Sequence, residues 1–399
     1  MQIAGIIAEY DPFHKGHAAH IAATRAENGG NATHIVTVIS GNFTQRGEPA
    51  LVNKFHRAEM ALANGADLVL ELPLPWAMSP AESFANGGVA ILKSLGCVDM
   101  LSFGSECGDI AVLQQLAALP QDPDYQMFLR EILSSGVPYA AAGQAAAAQI
   151  LGDTAAGHLA SPNNTLAVEY IRAAAAQKAN FSFFTLQRQG ALHNEKAPNQ
   201  GFSSASLLRE MVQDGNAEQT AAFMPKASYH ILSDALNTGH IATNTQALEY
   251  ALLVHLRRLR EEDFAALPWL SEGIENRLYS AARRAETYAD ILKEIKTRRY
   301  PMARIRRILW ASLLGLTAED ISGTPPYIRI LGMNERGREI LNVADPTLPI
   351  LTRTAQLQQL DERSRRIFKL ECTATDLHSL CMPHPYPCGT DHTQKLITK

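Results

Sequence analysis

Five segments in the first half of the chain read as largely apolar strands: IAGIIAEY (3–10), THIVTVIS (33–40), DLVLELP (67–73), VDMLSFGS (98–105) and NFSFFTLQR (180–188). Helical periods separate them, at 17–28, 54–65, 80–95 and 164–178. A strand with one wet face alternates apolar and polar residues, whereas one that is apolar throughout must be covered on both faces. Strands of that kind with helices between them imply a parallel sheet held between helical layers, the doubly wound α/β arrangement. Ligands of such sheets sit beyond the carboxyl ends of the strands.

The pattern then changes. Residues 108–160 are Ala-rich and helical, AAAGQAAAAQILG included, and read as an insertion in the α/β domain. Beyond about 220 the helical periods 226–237, 244–266, 272–285, 286–297 and 301–315 follow one another, with little strand signal until YIRILGM (327–333). The expectation is an α/β catalytic domain over 1–220 and a mostly helical domain over 221–399.

Charge is uneven along the chain. The net charge is −4, yet KTRRYPMARIRR (296–307) carries six basic residues and no acid, and RSRRIFK (363–369) carries four more. Each run alone is compatible with a solvated helix face; together, in one half of an acidic protein, they favour a polyanion surface. No apolar run approaches 18 residues, so no membrane span is expected. The first strand begins without a basic leader, which makes the cytoplasm the expected compartment. The five cysteines are too few and scattered for a disulfide framework.

Directly after the first strand stands EYDPFHKGHAAH (9–20). His14 and His17 form H-x-G-H around Lys15 and Gly16, where a helix should begin. The first N–H groups of a helix lack internal partners, and with the helix dipole they favour phosphate. Two imidazoles beside them can donate to phosphoryl oxygens. In adenylyl transfer, donors aimed at the charge growing on the leaving pyrophosphate stabilise the transition state, a role that suits His14, Lys15 and His17. A Walker A loop and a G-x-G-x-x-G turn are both absent. H-x-x-H could serve a metal instead, but no further ligands stand nearby, so no metal site is expected.

A second element, GFSSASLLREMV (201–212), opens a helix with serines and brings Arg209 one turn in. Ser203, Ser204 or Ser206 can bond phosphate there, or one of them is simply the helix cap. H-x-G-H together with a serine-rich turn ending in Arg resembles the signatures of the nucleotidyltransferase superfamily. The resemblance narrows at SGNFTQRGEPALVNKFHRAEMALANGADLVLELP (40–73), FGSE (103–106), SPNNTLAVEYI (161–171), KTRRYPMARIRRIL (296–309) and YIRILGMNERGREIL (327–341). Nearly end to end, the chain resembles the bacterial tRNA-Met cytidine acetate ligase family.

That resemblance implies an enzyme that takes ATP, with Mg²⁺, and acetate, forms acetyl-adenylate, and acetylates N4 of the wobble cytidine of elongator tRNA-Met. It implies an ATP site made of Ile7, Ala8, Glu9, Tyr10, Asp11, Pro12, Phe13, His14, Lys15, Gly16, His17, Ala18, Ala19 and His20. Gly104, Asn163, Arg188, Ser204 and Arg209 would complete the site, with Asn164 a close second to Asn163. It departs from the family pattern at Asp11, where Asn is usual, and around His193. Asn42, Gln45 and Arg46 follow strand two at the same sheet edge and are candidates for acetate or the target base. Arg298, Arg299, Arg304, Arg306 and Arg307 would grip tRNA phosphates. Two other readings remain: a nucleotidyltransferase making a dinucleotide from ATP and a phosphate monoester at the same ATP site, which needs no basic helical domain, and an RNA-binding protein without catalysis, which keeps the arginines and has no use for H-x-G-H.

Further residues have two readings each. Lys54 and Arg57 reach phosphates or are solvated. Glu71 is a paired structural carboxylate rather than a base, and Trp76, Trp269 and Trp310 are core rather than stacking platforms. Cys381, Cys388, His378, His384 and His392 resemble a metal tract, but their spacing matches no zinc pattern.

Overall fold

A computed structural model describes residues 1–27, 33–188, 203–271 and 273–399. His193 and the start of the serine-rich segment, Gly201 included, lie outside the described residues.

Strands β1 (Gln2–Ala8), β2 (Thr33–Ser40), β3 (Leu68–Leu72), β4 (Met100–Ser105) and β5 (Ser182–Gln187) pair in parallel in the order β5-β4-β1-β2-β3. Successive side chains of a strand point to opposite faces. In β1, Ile3 and Ile7 enter one buried cluster while Ala4 and Ile6 enter another. Both faces are covered, which is why these strands are apolar without alternation. The helix Ala81–Ser94 lies close on one face: a Cβ on Gly88 would fall 2.7 Å from Ile7 Cδ1. The chain runs outward from β1 through β2 to β3, then returns to β4 on the other side of β1. The point where the order reverses lies at the carboxyl end of β1, where doubly wound sheets bind ligands. The expected insertion is helical, with Ile110–Ala118, Pro123–Ser134 and Tyr139–Leu151 as its longest elements.

The sheet does not stop where the expected partition at 220/221 would end it. Strand β6 (Ile328–Met333) pairs antiparallel with β3, and β7 (Ile350–Leu351) and β8 (Ile397–Thr398) pair with β6. The helix Lys226–Asn237 also buries Leu232 and Ala235 in the core of the α/β layer. The helical unit proper is the middle stretch Gln246–Arg258, Glu261–Ala265, Ile274–Arg284, Tyr288–Ile295 and Met302–Leu314. The expected helix 244–266 breaks at Leu259 and Arg260, where the backbone turns extended.

A buried ion cluster staples the returning segment to the sheet. Lys54 Nζ lies 2.6 Å from Glu71, 2.7 Å from Asp391 and 3.4 Å from Glu371; Arg329 lies 2.8 Å from Glu71 and 2.6 Å from Asp391. Burial and the neighbouring carboxylates hold the Glu371 pKa well above its usual range, while Lys54 opposes that shift. Glu71 is thus structural, as its sequence setting suggests. Lys54 is structural too, against both readings of its sequence setting: it is fully buried in this cluster, neither solvated nor facing the cavity. Arg57 is fully buried too, donating to the carbonyls of Glu9 (2.6 Å), Val52 (2.8 Å) and Gly41. Its guanidinium satisfies carbonyls of the segments that follow β1 and β2.

Candidate active site

The chain leaves β1 through Glu9 and Tyr10, the latter at φ +54°, and turns into the helix Lys15–Glu27. This places His14 just before the helix and His17 in its first turn. The rings stack with centroids 3.6 Å apart, and Tyr10 and Phe13 hold His17 by its edges at 4.8 and 5.4 Å. The His14 N–H donates to His17 Nδ1 (3.2 Å). A neutral imidazole that accepts at Nδ1 carries its proton on Nε2, which leaves that N–H available to a ligand. Burial, with Arg188 nearby, lowers the His14 pKa to about 3 and that of His20 to about 4, and holds His17 well below its ordinary range. All three are neutral hydrogen-bonding groups at pH 7. His14 Nδ1 is buried without a partner, a group poised for a ligand.

These histidines line a cavity of about 240 Å³ together with Ile7, Ala8, Glu9, Tyr10 and Asp11. Gly104, Asn163, Arg188, Ser204 and Arg209, far apart in sequence, line the same cavity. A second cavity of about 220 Å³ shares His14, His17, His20, Gly104 and Arg188 and extends past Gly16, Ala19 and Leu186. A Cβ on Gly104 would stand 3.4 Å from the Arg188 stem, in the space both cavities use. Asn163 faces this space. Asn164 turns inward and is fully buried, accepting from the N–H groups of Glu106 (2.8 Å) and Cys107 (3.1 Å). Ser204 caps the helix Ala205–Gln213 by accepting from Leu207 N–H (3.2 Å), and that helix opens toward the cavity through Ser204, Ala205 and Ser206. Arg209 donates to the Asp11 carbonyl (2.8 Å), and the Asp11 carboxylate accepts from Leu51 N–H (2.8 Å). An acid at position 11 is therefore already compensated by protein groups.

Several expected residues do other work. Lys15 is exposed and donates to the Ala222 carbonyl (2.6 Å), because the helix turns its side chain away from the face of His14 and His17. Phe13 is core, and Pro12 and Ala18 do not line either cavity. Asn42 is fully buried, accepting from Lys54 N–H (2.7 Å) and donating to Thr375 (3.0 Å), so it is a loop brace and not a substrate contact. Gln45 and Arg46 do line the cavity, and Gln45 N–H donates to Glu9 (2.6 Å).

The basic run divides. Arg298 and Arg299 are exposed. Arg304 donates to the Trp269 carbonyl (2.9 Å) and Ser271 Oγ (2.6 Å), Arg306 pairs with Glu48, and Arg307 donates to the Gln45 carbonyl (2.9 Å). Burial and Arg304 lower the Arg307 pKa to about 10. The helix Met302–Leu314 buries Ile305, Ile308 and Leu309, and its arginine stems cross to the loop that lines the cavity. Arg363 and Arg366 of the second run are likewise engaged, with the Ser322 carbonyl (2.6 Å) and Asp320 (3.0 Å). Trp76 and Trp310 are core, and Trp269 is partly buried against it. Among the tail residues, His378 contacts the Ala50 carbonyl (2.6 Å) and His392 the Cys372 thiol (3.4 Å). No metal-binding group of three His, Cys, Asp or Glu occurs among the described residues.

The apolar wall was missed in the sequence. Pro162, Leu166 and Tyr170 line the cavity from one face of the helix Pro162–Ala176, joined by Phe84 and Phe103. Their i, i+4 spacing next to Asn163 was the available signal.

Comparison with known proteins matches residues 1–392 to the HIGH Nucleotidyl Transferase family model. The tRNA(Met) cytidine acetate ligase of Acetivibrio thermocellus is 36% identical over the whole of both chains, and that of Caldanaerobacter subterraneus 37% identical over 95% of each. Crystal structures of Thermotoga maritima TmcAL superpose with TM-scores of 0.94 (apo) and 0.92 (bound with alpha-thio ATP). Both are 32% identical and cover 100% of this chain and 99% of theirs.

Proposed function

This chain belongs to the tRNA(Met) cytidine acetate ligase family, and on that premise we propose how its residues divide the work of joining acetate to a tRNA cytidine at the expense of ATP. The observation that carries the reading is the stacked pair His14 and His17, neutral and buried, facing the cavity from the start of a helix.

ATP lies along the joined cavities, its phosphates against His14, His17 and the N-terminus of the helix Ala205–Gln213. Acetate oxygen attacks the α-phosphorus, the bond to the bridging oxygen breaks, and pyrophosphate leaves. The neutral imidazole N–H groups and the cations Arg188 and Arg209 receive the charge that develops. Mg²⁺ would be held chiefly by the nucleotide phosphates and water, with few protein ligands, and would neutralise phosphate charge there. The carboxylates nearest the cavity, Glu9 and Asp11, already accept from backbone N–H groups. Phe84, Phe103 and Tyr170 keep one wall of the cavity apolar and water away from the mixed anhydride. The cytidine N4 then attacks the acetyl carbon and AMP departs; an exocyclic amine of low nucleophilicity requires an acyl donor activated in this way. Exposed Arg298 and Arg299 supply tRNA phosphate contacts, which position without reading sequence. The enzyme works where tRNA is used, in the cytoplasm, and no described helix is long and apolar enough to cross a membrane.

The test is the product. With ATP, Mg²⁺, acetate and total bacterial tRNA, nucleoside mass spectrometry should find one acetyl group on cytidine at the wobble position of elongator tRNA-Met. Radiolabelled pyrophosphate should exchange into ATP only when acetate is present. Acetylation from acetyl-coenzyme A without ATP would overturn the reading, and a dinucleotide product would replace it.

A further inference from the structure

We propose that the cleft between the helices Ala205–Gln213 and Met302–Leu314 is the pocket that receives the acceptor cytosine. The inference rests on the ligase reading and names a site for its second substrate. The cleft holds about 410 Å³ and shares Arg46, Ser206 and Arg209 with the nucleotide cavity. It therefore opens at the end carrying the serine turn and Arg209. The other extension, past Ala19 and Leu186, leaves in a different direction and shares no lining residue with it. ATP with its β- and γ-phosphates toward Ser206 and Arg209, which the other extension lacks, places its nucleoside in that extension. The amine must then arrive through the cleft, where the departing AMP does not block it.

The chemistry of the cleft suits a pyrimidine. Its far wall comes from the helical unit: Thr245, Glu249, Tyr288, Arg306 and Trp310. The Tyr288 ring leans on Trp310, with centroids 5.4 Å apart at 44°. An aromatic ring at a cleft wall is a stacking surface for an unstacked base. The Arg306–Glu48 pair crosses the same wall and offers a donor and an acceptor side by side. Cytosine presents the complementary set along one edge, acceptors at O2 and N3 and a donor at N4, and acidic side chains accept from N4. Tyr288 and Arg306 stand on the two helices joined by the segment that carries exposed Arg298 and Arg299. Phosphate contacts at that joint hold the backbone beside the opening while one base turns inward. In the transfer, the N4 lone pair forms the bond to the acetyl carbon, the carbonyl carbon–oxygen bond to phosphate breaks, its electron pair stays on AMP, and N4 releases one proton to the departing phosphate.

The test compares Tyr288→Ala with Tyr288→Phe in the full chain. Loss of the ring should slow tRNA acetylation roughly 5- to 150-fold, the range for losing one base-stacking contact. Acetate-dependent pyrophosphate exchange should stay within about twofold, and Tyr288→Phe should restore acetylation. An anticodon stem–loop RNA with 5-iodocytidine at the acceptor position should photocrosslink to Tyr288 in the wild-type protein. Wild-type acetylation by Tyr288→Ala, or a crosslink confined to residues outside 206–213, 245–249 and 288–310, would overturn the proposal. If the wild-type protein exchanges pyrophosphate yet acetylates no RNA, the ligase reading itself has failed, which separates the two.

Discussion

Two buried polar clusters, one around Lys54 and one around His14 and His17, are built on opposite principles. Around Lys54 every charge meets another: two cations and three carboxylates lie within 2.6–3.4 Å contacts, and burial pushes the Glu371 carboxyl pKa up. Around His14 and His17 the groups are kept neutral, one ring nitrogen has no partner, and an open cavity adjoins them. Burial costs both, because a polar group taken from water must be paired or uncharged. The first cluster pairs each cation with carboxylates inside the fold and serves the sheet. The second keeps its groups neutral beside the cavity. The contrast is between charges paired with one another and neutral donors turned toward open space.

Breaking the charged cluster should have the largest effect. Lys54→Met leaves Glu71 and Asp391 buried without that cation and should destabilise the protein by roughly 3–5 kcal/mol, read from urea unfolding. A loss under about 1 kcal/mol would mean that water or proton uptake repairs the site and that the cluster is not a staple.

The neutral cluster should behave in reverse. His17→Ala should slow acetate-dependent pyrophosphate exchange roughly 10²–10³-fold, the effect of losing one transition-state donor. The unfolding midpoint should move far less than with Lys54→Met. A large stability loss with normal exchange would place His17 among the structural groups.

The smallest effect concerns pH. An unfolded histidine takes up its proton near pH 6.5, whereas folded His14 and His20 wait until about 3 and about 4. Between these values the unfolded chain binds more protons. The stability from keeping them neutral is complete above about pH 6.5 and is lost as the pH falls toward 4. Each contributes a slope of at most about 1.4 kcal/mol per pH unit in that window. His14→Asn should flatten the dependence of the ATP-free protein between pH 6.5 and 4.5; an unchanged slope would show that His14 is solvated or already charged.

Much of this was legible because it is local. H-x-G-H declares itself through residues three apart at the start of a helix, and the apolar strands declare a covered sheet. The serine turn was legible as a helix start, and Ser204 does cap it while also facing the cavity. Asn163 and Asn164 could not be separated from sequence, since adjacent residues on a helix differ by about 100° and only the packed phase says which one faces the cavity. Lys15 turns away from the cavity for the same reason.

What the sequence determined by itself was the parallel sheet and the histidine pair at the carboxyl end of β1, because backbone geometry relates residues a few positions apart. Only the tertiary structure decided which charges are spent on the fold. Lys54 meets Glu371 and Asp391, Arg307 meets the Gln45 carbonyl, and Arg306 meets Glu48, partners more than 250 positions away. It likewise returned β6 to the sheet beside β3, against the expected two-part division. A run of arginines looks the same in sequence whether it faces RNA or a carbonyl across an interface; burial and distance decide, and both are properties of the packed chain.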